Sequence, residues 1–179
     1  VAPRRALTAD AIQVGGDVRL ADGFRAIGEV RFRAARIEGD LRASGNFTGS
    51  RLRDGGRGSA LLLDRVVVGG SVRFDGGFFG AAGGVSLRQA RIAGDLDATG
   101  ASFDRLGDAS LNGDAVLVLD RARIDGSLIL CELQTPLLGA SLVRARVGTL
   151  VDDPTSWGER LALDGFEYSR LGDESPLDT

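Results

Sequence analysis

Val14-Gly15-Gly16-Asp17-Val18, Ile37-Glu38-Gly39-Asp40-Leu41, Val68-Gly69-Gly70-Ser71-Val72, Ile92-Ala93-Gly94-Asp95-Leu96 and Ile124-Asp125-Gly126-Ser127-Leu128 are five copies of one phrase. Each reads aliphatic, any residue, Gly, Asp or Ser, aliphatic; a shortened copy, Val147-Gly148-Thr149-Leu150, closes the series. The central glycines lie 23, 31, 24 and 32 residues apart, so short and long units alternate. The long units match each other in detail, from Gly39-Asp40-Leu41-Arg42-Ala43-Ser44-Gly45 to Leu63-Asp64-Arg65-Val66 and from Gly94-Asp95-Leu96-Asp97-Ala98-Thr99-Gly100 to Leu119-Asp120-Arg121-Ala122. Self-similarity at periods of about 20–50 residues marks stacked repeats.

The pattern within a unit is that of strands. Val30-Arg31-Phe32, Leu61-Leu62-Leu63, Val85-Ser86-Leu87 and Leu117-Val118-Leu119 are apolar at their outer positions, the period of two that half-buries a strand. Stacking one unit per coil predicts three interior columns with equivalent residues about 4.8 Å apart. The first is Val14, Ile37, Val68, Ile92, Ile124 and Val147; the second is Val18, Leu41, Val72, Leu96, Leu128 and Leu150. The third is Phe32, Leu63, Leu87, Leu119 and Leu142. Ala35, Ala90, Ala122 and Ala145 beside them imply a narrow, filled interior. The recurrent Gly is read as a corner, where positive φ or close backbone approach is needed. The expected fold is all-β: a right-handed parallel β-helix (β-solenoid) of five to six coils, short and long coils alternating. Residues 12–150 form the solenoid, and 1–11 and 151–179 are assigned to N- and C-terminal caps, which solenoids need over their exposed strand edges.

Outward columns test the register. Arg33, Asp64, Arg88, Asp120 and Val143 alternate in charge, which predicts a ladder of cross-strand ion pairs. Arg36, Val67, Arg91, Arg123 and Arg146 are mostly basic. That column is read as a solvated face, with an anion-binding stripe as the sharper alternative. Asp40 and Asp95 share a column beside corner glycines, where Asp caps turns.

The long units gain their extra residues between the Phe47 or Phe103 strand and the next Leu-rich strand. The inserts, Thr48 to Ser59 and Asp104 to Asp114, are expected on one side, two coils apart. The first carries Arg51, Arg53 and Arg57 and the second Asp104 and Asp108, which makes them candidate interaction residues on a rigid scaffold. Gly55-Gly56-Arg57-Gly58 lacks the Lys-Ser/Thr and the helix of a phosphate loop. Trp157, Phe166 and Tyr168 include the only Trp and Tyr; they are read as covering the last coil or, alternatively, as an exposed anchor for a partner.

Composition narrows the chemistry. The chain has 179 residues, 22 basic and 25 acidic, for a net charge of −3. All the basic residues are Arg; Lys, His and Met are absent. Without His, a Ser-His-Asp triad and His-ligated metal sites are excluded. Cys131 is the only cysteine, so there is no intramolecular disulfide or thiolate cluster, in keeping with a reducing cytoplasm. The lone thiol is read as core filler in the run Ser127 to Leu133. No apolar run reaches bilayer length, and Pro3-Arg4-Arg5 opens no signal peptide. The missing initiator Met implies a processed product or a piece of a longer chain.

The phrase Leu119-Asp120-Arg121-Ala122-Arg123-Ile124-Asp125-Gly126-Ser127-Leu128 resembles the repeats of pentapeptide-repeat-like β-helix proteins, in the actinobacterial group described as membrane-associated oxidoreductases. The closing motif Val147-Gly148-Thr149-Leu150-Val151-Asp152-Asp153-Pro154-Thr155-Ser156-Trp157, followed by Leu163-Asp164-Gly165-Phe166-Glu167-Tyr168, is similar to that group's end-of-solenoid signature. The resemblance implies continuation into a helical segment and membrane spans absent from this chain, and a place in the cytoplasm at the inner face of the cell membrane. Leu41 follows Ile37 by four residues, as Leu96 follows Ile92, a departure from strict pentapeptide register that favours an uneven cross-section.

A nicotinamide or flavin site needs a strand, a Gly-rich turn and a helix with a downstream acid, which the sequence lacks, so no cofactor is expected. The leading expectation is a non-enzymatic scaffold whose loop-decorated face binds a protein partner. The alternatives are a DNA-mimicking, gyrase-binding protein of the pentapeptide type, a β-helical carbohydrate-active enzyme, and a filament-forming solenoid of self-associating copies. Duplex mimicry needs a continuous acidic stripe, whereas here acids alternate with arginines.

Overall fold

The structure, a computed structural model, describes residues 5–49, 59–74, 84–103 and 115–172. Its strands are short and parallel, and each rung hydrogen-bonds the rungs before and after it to form a β-solenoid of about six turns. The first face stacks seven strands: Arg5–Thr8, Glu29–Arg31, Leu61–Leu62, Val85–Ser86, Leu117–Val118, Ala140–Ser141 and Leu161–Ala162. The second face stacks Gln13–Val14, Arg36–Ile37, Val67–Val68 and Arg91–Ile92; the third stacks Val18–Leu20, Leu41–Ala43, Val72–Arg73 and Leu96–Asp97. In the following rungs the second and third faces merge into single strands, Arg123–Leu130, Arg146–Asp152 and Glu167–Leu171. A small extra ladder pairs Arg25–Ile27 with Asn46–Thr48 in the first turns.

All three interior columns form in the expected register. Val14, Ile37, Val68, Ile92, Ile124 and Val147 pair in succession, as do Val18, Leu41, Val72, Leu96, Leu128 and Leu150. The Phe32, Leu63, Leu87, Leu119 and Leu142 column is buried throughout. Ala35, Val66, Ala90, Ala122 and Ala145 are buried between them, and these small side chains let opposite walls meet without a void. Phe47, Phe74 and Phe103 fill the wider corner after the third face, where Phe74 and Phe103 meet edge to face at 6.2 Å.

The ladders run beyond residues 12–150. Arg5–Thr8 pairs with Glu29–Arg31, Leu161–Ala162 with Ala140–Ser141, and Glu167–Leu171 with Arg146–Asp152. The shortened sixth phrase has a structural counterpart. Ile124 pairs with Val147 and Ser127 with Thr149, so Asp125 and Gly126 together oppose Gly148 in a bulge.

Candidate functional site

Two corners organise the polar side chains. At the corner between the second and third faces, the Asp17 carboxylate accepts the backbone N–H of Asp40 (2.9 Å), and Asp40 accepts that of Ser71 (2.8 Å). Ser71 Oγ then accepts the N–H of Asp95 (3.0 Å), and the Asp95 carboxylate accepts that of Ser127 (2.7 Å). The repeated Asp or Ser is thus a rung-to-rung cap, one side-chain oxygen satisfying one backbone donor of the next coil. The preceding Gly is required by close approach rather than by its φ. A Cβ at Gly39, Gly70, Gly94 or Gly126 would overlap the capping oxygen of Asp17, Asp40, Ser71 or Asp95 respectively. Gly16, at the start of the series, has nothing within 4 Å of a Cβ.

Positive φ occurs at the other corner, between the first and second faces. Ala11, Ala34, Arg65, Gln89, Arg121 and Arg144 have φ of 55–60°, and Gly165 closes the column at 67°. Each is the third residue of a hydrogen-bonded β-turn, as in Ala35 N–H to Phe32 C=O (3.0 Å) and Ala122 N–H to Leu119 C=O (2.8 Å). The left-handed region disfavours residues with a Cβ. These turns hold because each is bonded to its neighbours above and below, Arg65 N–H to Arg88 C=O (2.8 Å) being one link.

The alternating column beside these turns does more than pair charges. Arg88 and Asp120 form an ion pair at 3.7 Å. The carboxylates of Asp10, Asp64 and Asp120 also accept the backbone N–H of Arg33, Arg88 and Val143 in the next rung (3.1, 3.0 and 3.3 Å). Asp64 and Asp120 further accept the hydroxyls of Ser86 and Ser141 at 2.5 Å. Each of these carboxylates thus satisfies a backbone donor one rung away in addition to the charge pairing expected from the alternation.

Asp40 and Asp95 are two rungs apart, with Ser71 on the rung between them, and both are committed to backbone donors. Neither is placed as a free acid–base pair. Glu29 is 8% exposed at the start of the second strand of the first face, and burial pushes its pKa up while Arg31 and Arg5 oppose the rise. Arg31 lies 3.6 Å from Glu29 and 2.7 Å from Asp10. Cys131 is half-buried, its Sγ 3.8 Å from the Val151 carbonyl oxygen. Among the described residues no three His, Cys, Asp or Glu side chains converge as a metal site, and no helix is long and apolar enough to cross a membrane.

Arg51, Arg53, Arg57, Asp104 and Asp108 lie outside the described residues. The chain that follows each insert is placed: Ala60 donates to the Gly84 carbonyl and Val116 to the Gly139 carbonyl (2.9 and 2.8 Å). Both inserts therefore return to the first face at the same corner, two rungs apart. Trp157 is half-buried against the core, bridges Leu137 through its backbone and donates its indole N–H to Asp152. Asp153 caps the short 3-10 turn Pro154–Ser156, and its bonds from Thr155 hold its carboxyl below the usual carboxylate range. Phe166 packs on the core in the alanine column, with its ring 6.0 Å from that of Tyr168, which is 50% exposed. Trp157 is therefore held within the final turn, whereas Tyr168 and Leu171 pair with Val147 and Leu150, continue the first two interior columns on the last rung and are exposed there.

Sequence reasoning missed a second column of arginines. Arg65, Arg121 and Arg144 occupy the left-handed turns, each two residues before a member of the Arg36, Val67, Arg91, Arg123, Arg146 column. The signal was present as Arg-x-Arg in Arg121-Ala122-Arg123 and Arg144-Ala145-Arg146. Comparisons of the chain with family models, with curated proteins and with solved structures find no match.

Proposed function

We propose that this β-solenoid is a non-enzymatic scaffold that presents a loop-decorated face to a protein partner. The observation that supports the reading is the use of the acidic side chains. Asp10, Asp17, Asp40, Asp64, Asp95 and Asp120 each bond a backbone N–H of the next rung. Acids used in this way stiffen a frame rather than move protons, and a rigid frame with inserts returning at one corner suits recognition. Arg51, Arg53, Arg57, Asp104 and Asp108 are the interaction residues of this proposal, with Trp157 securing the end of the frame. On the resemblance to the actinobacterial group, the scaffold belongs to a longer membrane-associated protein and works at the inner face of the cell membrane.

The test is capture of binding proteins on the tagged chain from soluble and membrane extracts of its source, repeated with Arg51, Arg53 and Arg57 changed to Glu. A specific protein retained by the parent chain and lost from the variant is expected. Equal recovery on both chains removes these arginines from the interface. Recovery of no protein from either extract overturns the scaffold reading.

A further inference from the structure

We infer that the arginine face of the solenoid is a docking trough for an acidic α-helical segment of a partner protein. The inference rests on the protein-binding reading above and names the chemistry of the partner. Arg91, Arg123 and Arg146 are paired directly opposite one another on consecutive rungs, all exposed. Arg121 and Arg144 stand two residues before Arg123 and Arg146 on the adjoining turns, Arg65 stands two before Val67 on the rung preceding Arg91, and all three are exposed. Arg123 bonds Asp125 (2.7 Å) and Arg146 bonds Glu167 (3.0 Å). Among the described residues, Arg65, Arg91, Arg121 and Arg144 have no ion-pair or side-chain hydrogen-bond partner. Like charges directly opposed across a ladder destabilise it. A chain of net charge −3 nevertheless gathers six arginines here. Destabilising arrangements retained on a surface are characteristic of binding sites.

The shape is that of a trough. The positions outward of the arginines toward the next corner are Glu38, Gly69, Ala93, Asp125 and Gly148; Gly69, Ala93 and Gly148 leave a floor beside the guanidinium rows, and Asp125 is bonded to Arg123. A depression of about 720 Å³ lined by Val67, Gly69, Arg91, Arg121 and Arg123 adjoins one of about 380 Å³ lined by Arg123, Arg146, Gly148 and Glu167, and the two share Arg123 and Asp125.

Spacing selects the occupant. Rungs repeat at about 4.8 Å, so Arg91, Arg123 and Arg146 span about 9.6 Å. Acidic residues at i, i+3 and i+7 of an α-helix rise by about 4.5 and 10.5 Å. In an extended chain, residues on one side repeat at about 6.7 Å and fall out of step within two rungs. Single-stranded nucleic acid binds on aromatic platforms, and the described outward positions of this face, which end at Glu167, carry no aromatic side chain. Val67 is the single bulky apolar side chain among the stripe residues, so the face has little to insert into a lipid surface.

Fluorescence anisotropy on the full chain tests the inference with a labelled, capped, Ala-based 18-residue peptide carrying Glu at i, i+3, i+7, i+10 and i+14. The comparison ligands are the same composition interrupted by two central prolines, inorganic polyphosphate, a single-stranded DNA 20-mer and phosphatidylglycerol vesicles. The helical peptide is expected to bind at least tenfold more tightly than the proline form and to weaken steeply between 50 and 300 mM salt. Arg91→Glu/Arg121→Glu is expected to weaken it at least tenfold, and Arg91→Gln/Arg121→Gln provides the same comparison should charge reversal unfold the chain. Equal binding of the two peptides, tighter binding of polyphosphate, DNA or vesicles, or unchanged affinity in the folded variants overturns the inference. If the peptide fails while a protein is still captured through Arg51, Arg53 and Arg57, only the trough reading falls; if capture also fails, both readings fall.

Discussion

Removing one capping carboxylate tests how the repeated phrase holds the solenoid together. Asp95 accepts the Ser127 N–H at 2.7 Å from a half-buried position. Asp95→Ala leaves that donor without its protein partner. Hydrogen bonds to charged groups contribute about 1.5–3 kcal/mol, and exposure places this one near 1.5 kcal/mol. For a chain of this length 1 kcal/mol shifts Tm by about 2–4 °C, so a fall of about 3–6 °C is expected. Asp95→Asn keeps an acceptor, and Asp95→Ser reproduces the Ser71 cap, which bonds its neighbour at 3.0 Å; both should lose less than half as much. Thermal unfolding followed by circular dichroism, with urea midpoints as a second measure, ranks the three variants. Gly126→Ala supplies the complementary test, since its Cβ would overlap the Asp95 carboxylate and lie 2.7 Å from the Gly94 carbonyl oxygen. Such overpacking costs about 1–3 kcal/mol. The cost should shrink but persist in the Asp95→Ala background, because the carboxylate overlap goes and the backbone overlap stays. Equal losses for Ala, Asn and Ser, or full additivity with Gly126→Ala, would refute the capping account.

Other consequences are measurable on the same footing. Ala34→Gly relieves a left-handed residue (φ 55°) and should raise stability by about 0.5 kcal/mol, while Gly165→Ala (φ 67°) lowers it by about 1 kcal/mol; melting both variants beside the parent checks the pair. Leu119, itself 0% exposed, leaves a void when changed to Ala, and Leu119→Ala should cost about 3 kcal/mol by urea unfolding. Glu29 has its folded pKa raised above 4.5 by burial, so its favourable contribution is present at lower pH and is lost as pH rises through the raised value. Glu29→Gln should therefore gain Tm relative to the parent between pH 4 and pH 7, and a gain that is larger at pH 4 would contradict that sign.

The sequence by itself determined the stacking. Aliphatic residues returning at fixed offsets from Gly-Asp or Gly-Ser define all three interior columns, because a parallel ladder stacks equivalent residues at one spacing and a slip of one residue would turn every inward side chain outward. The capping role of Asp40 and Asp95 was legible for the same reason, since Asp beside a corner has few other uses. The tertiary structure decided which donor each acid reaches. Asp64 and Asp120 alternate with arginines in the sequence, yet they bond the next rung's backbone as well, because the corner brings an N–H within about 3 Å of each carboxylate. It also decided where strain sits. The glycines of the phrase lie where an oxygen from the neighbouring rung passes, whereas Ala34, Arg65, Gln89, Arg121 and Arg144 carry the left-handed turns that composition would assign to Gly. A local sequence pattern cannot show this, because the bonds that hold those turns come from rungs about two dozen residues away. The two arginine columns follow the same logic: residues at separate offsets in the sequence become one cationic face only when the coils stack and set them side by side.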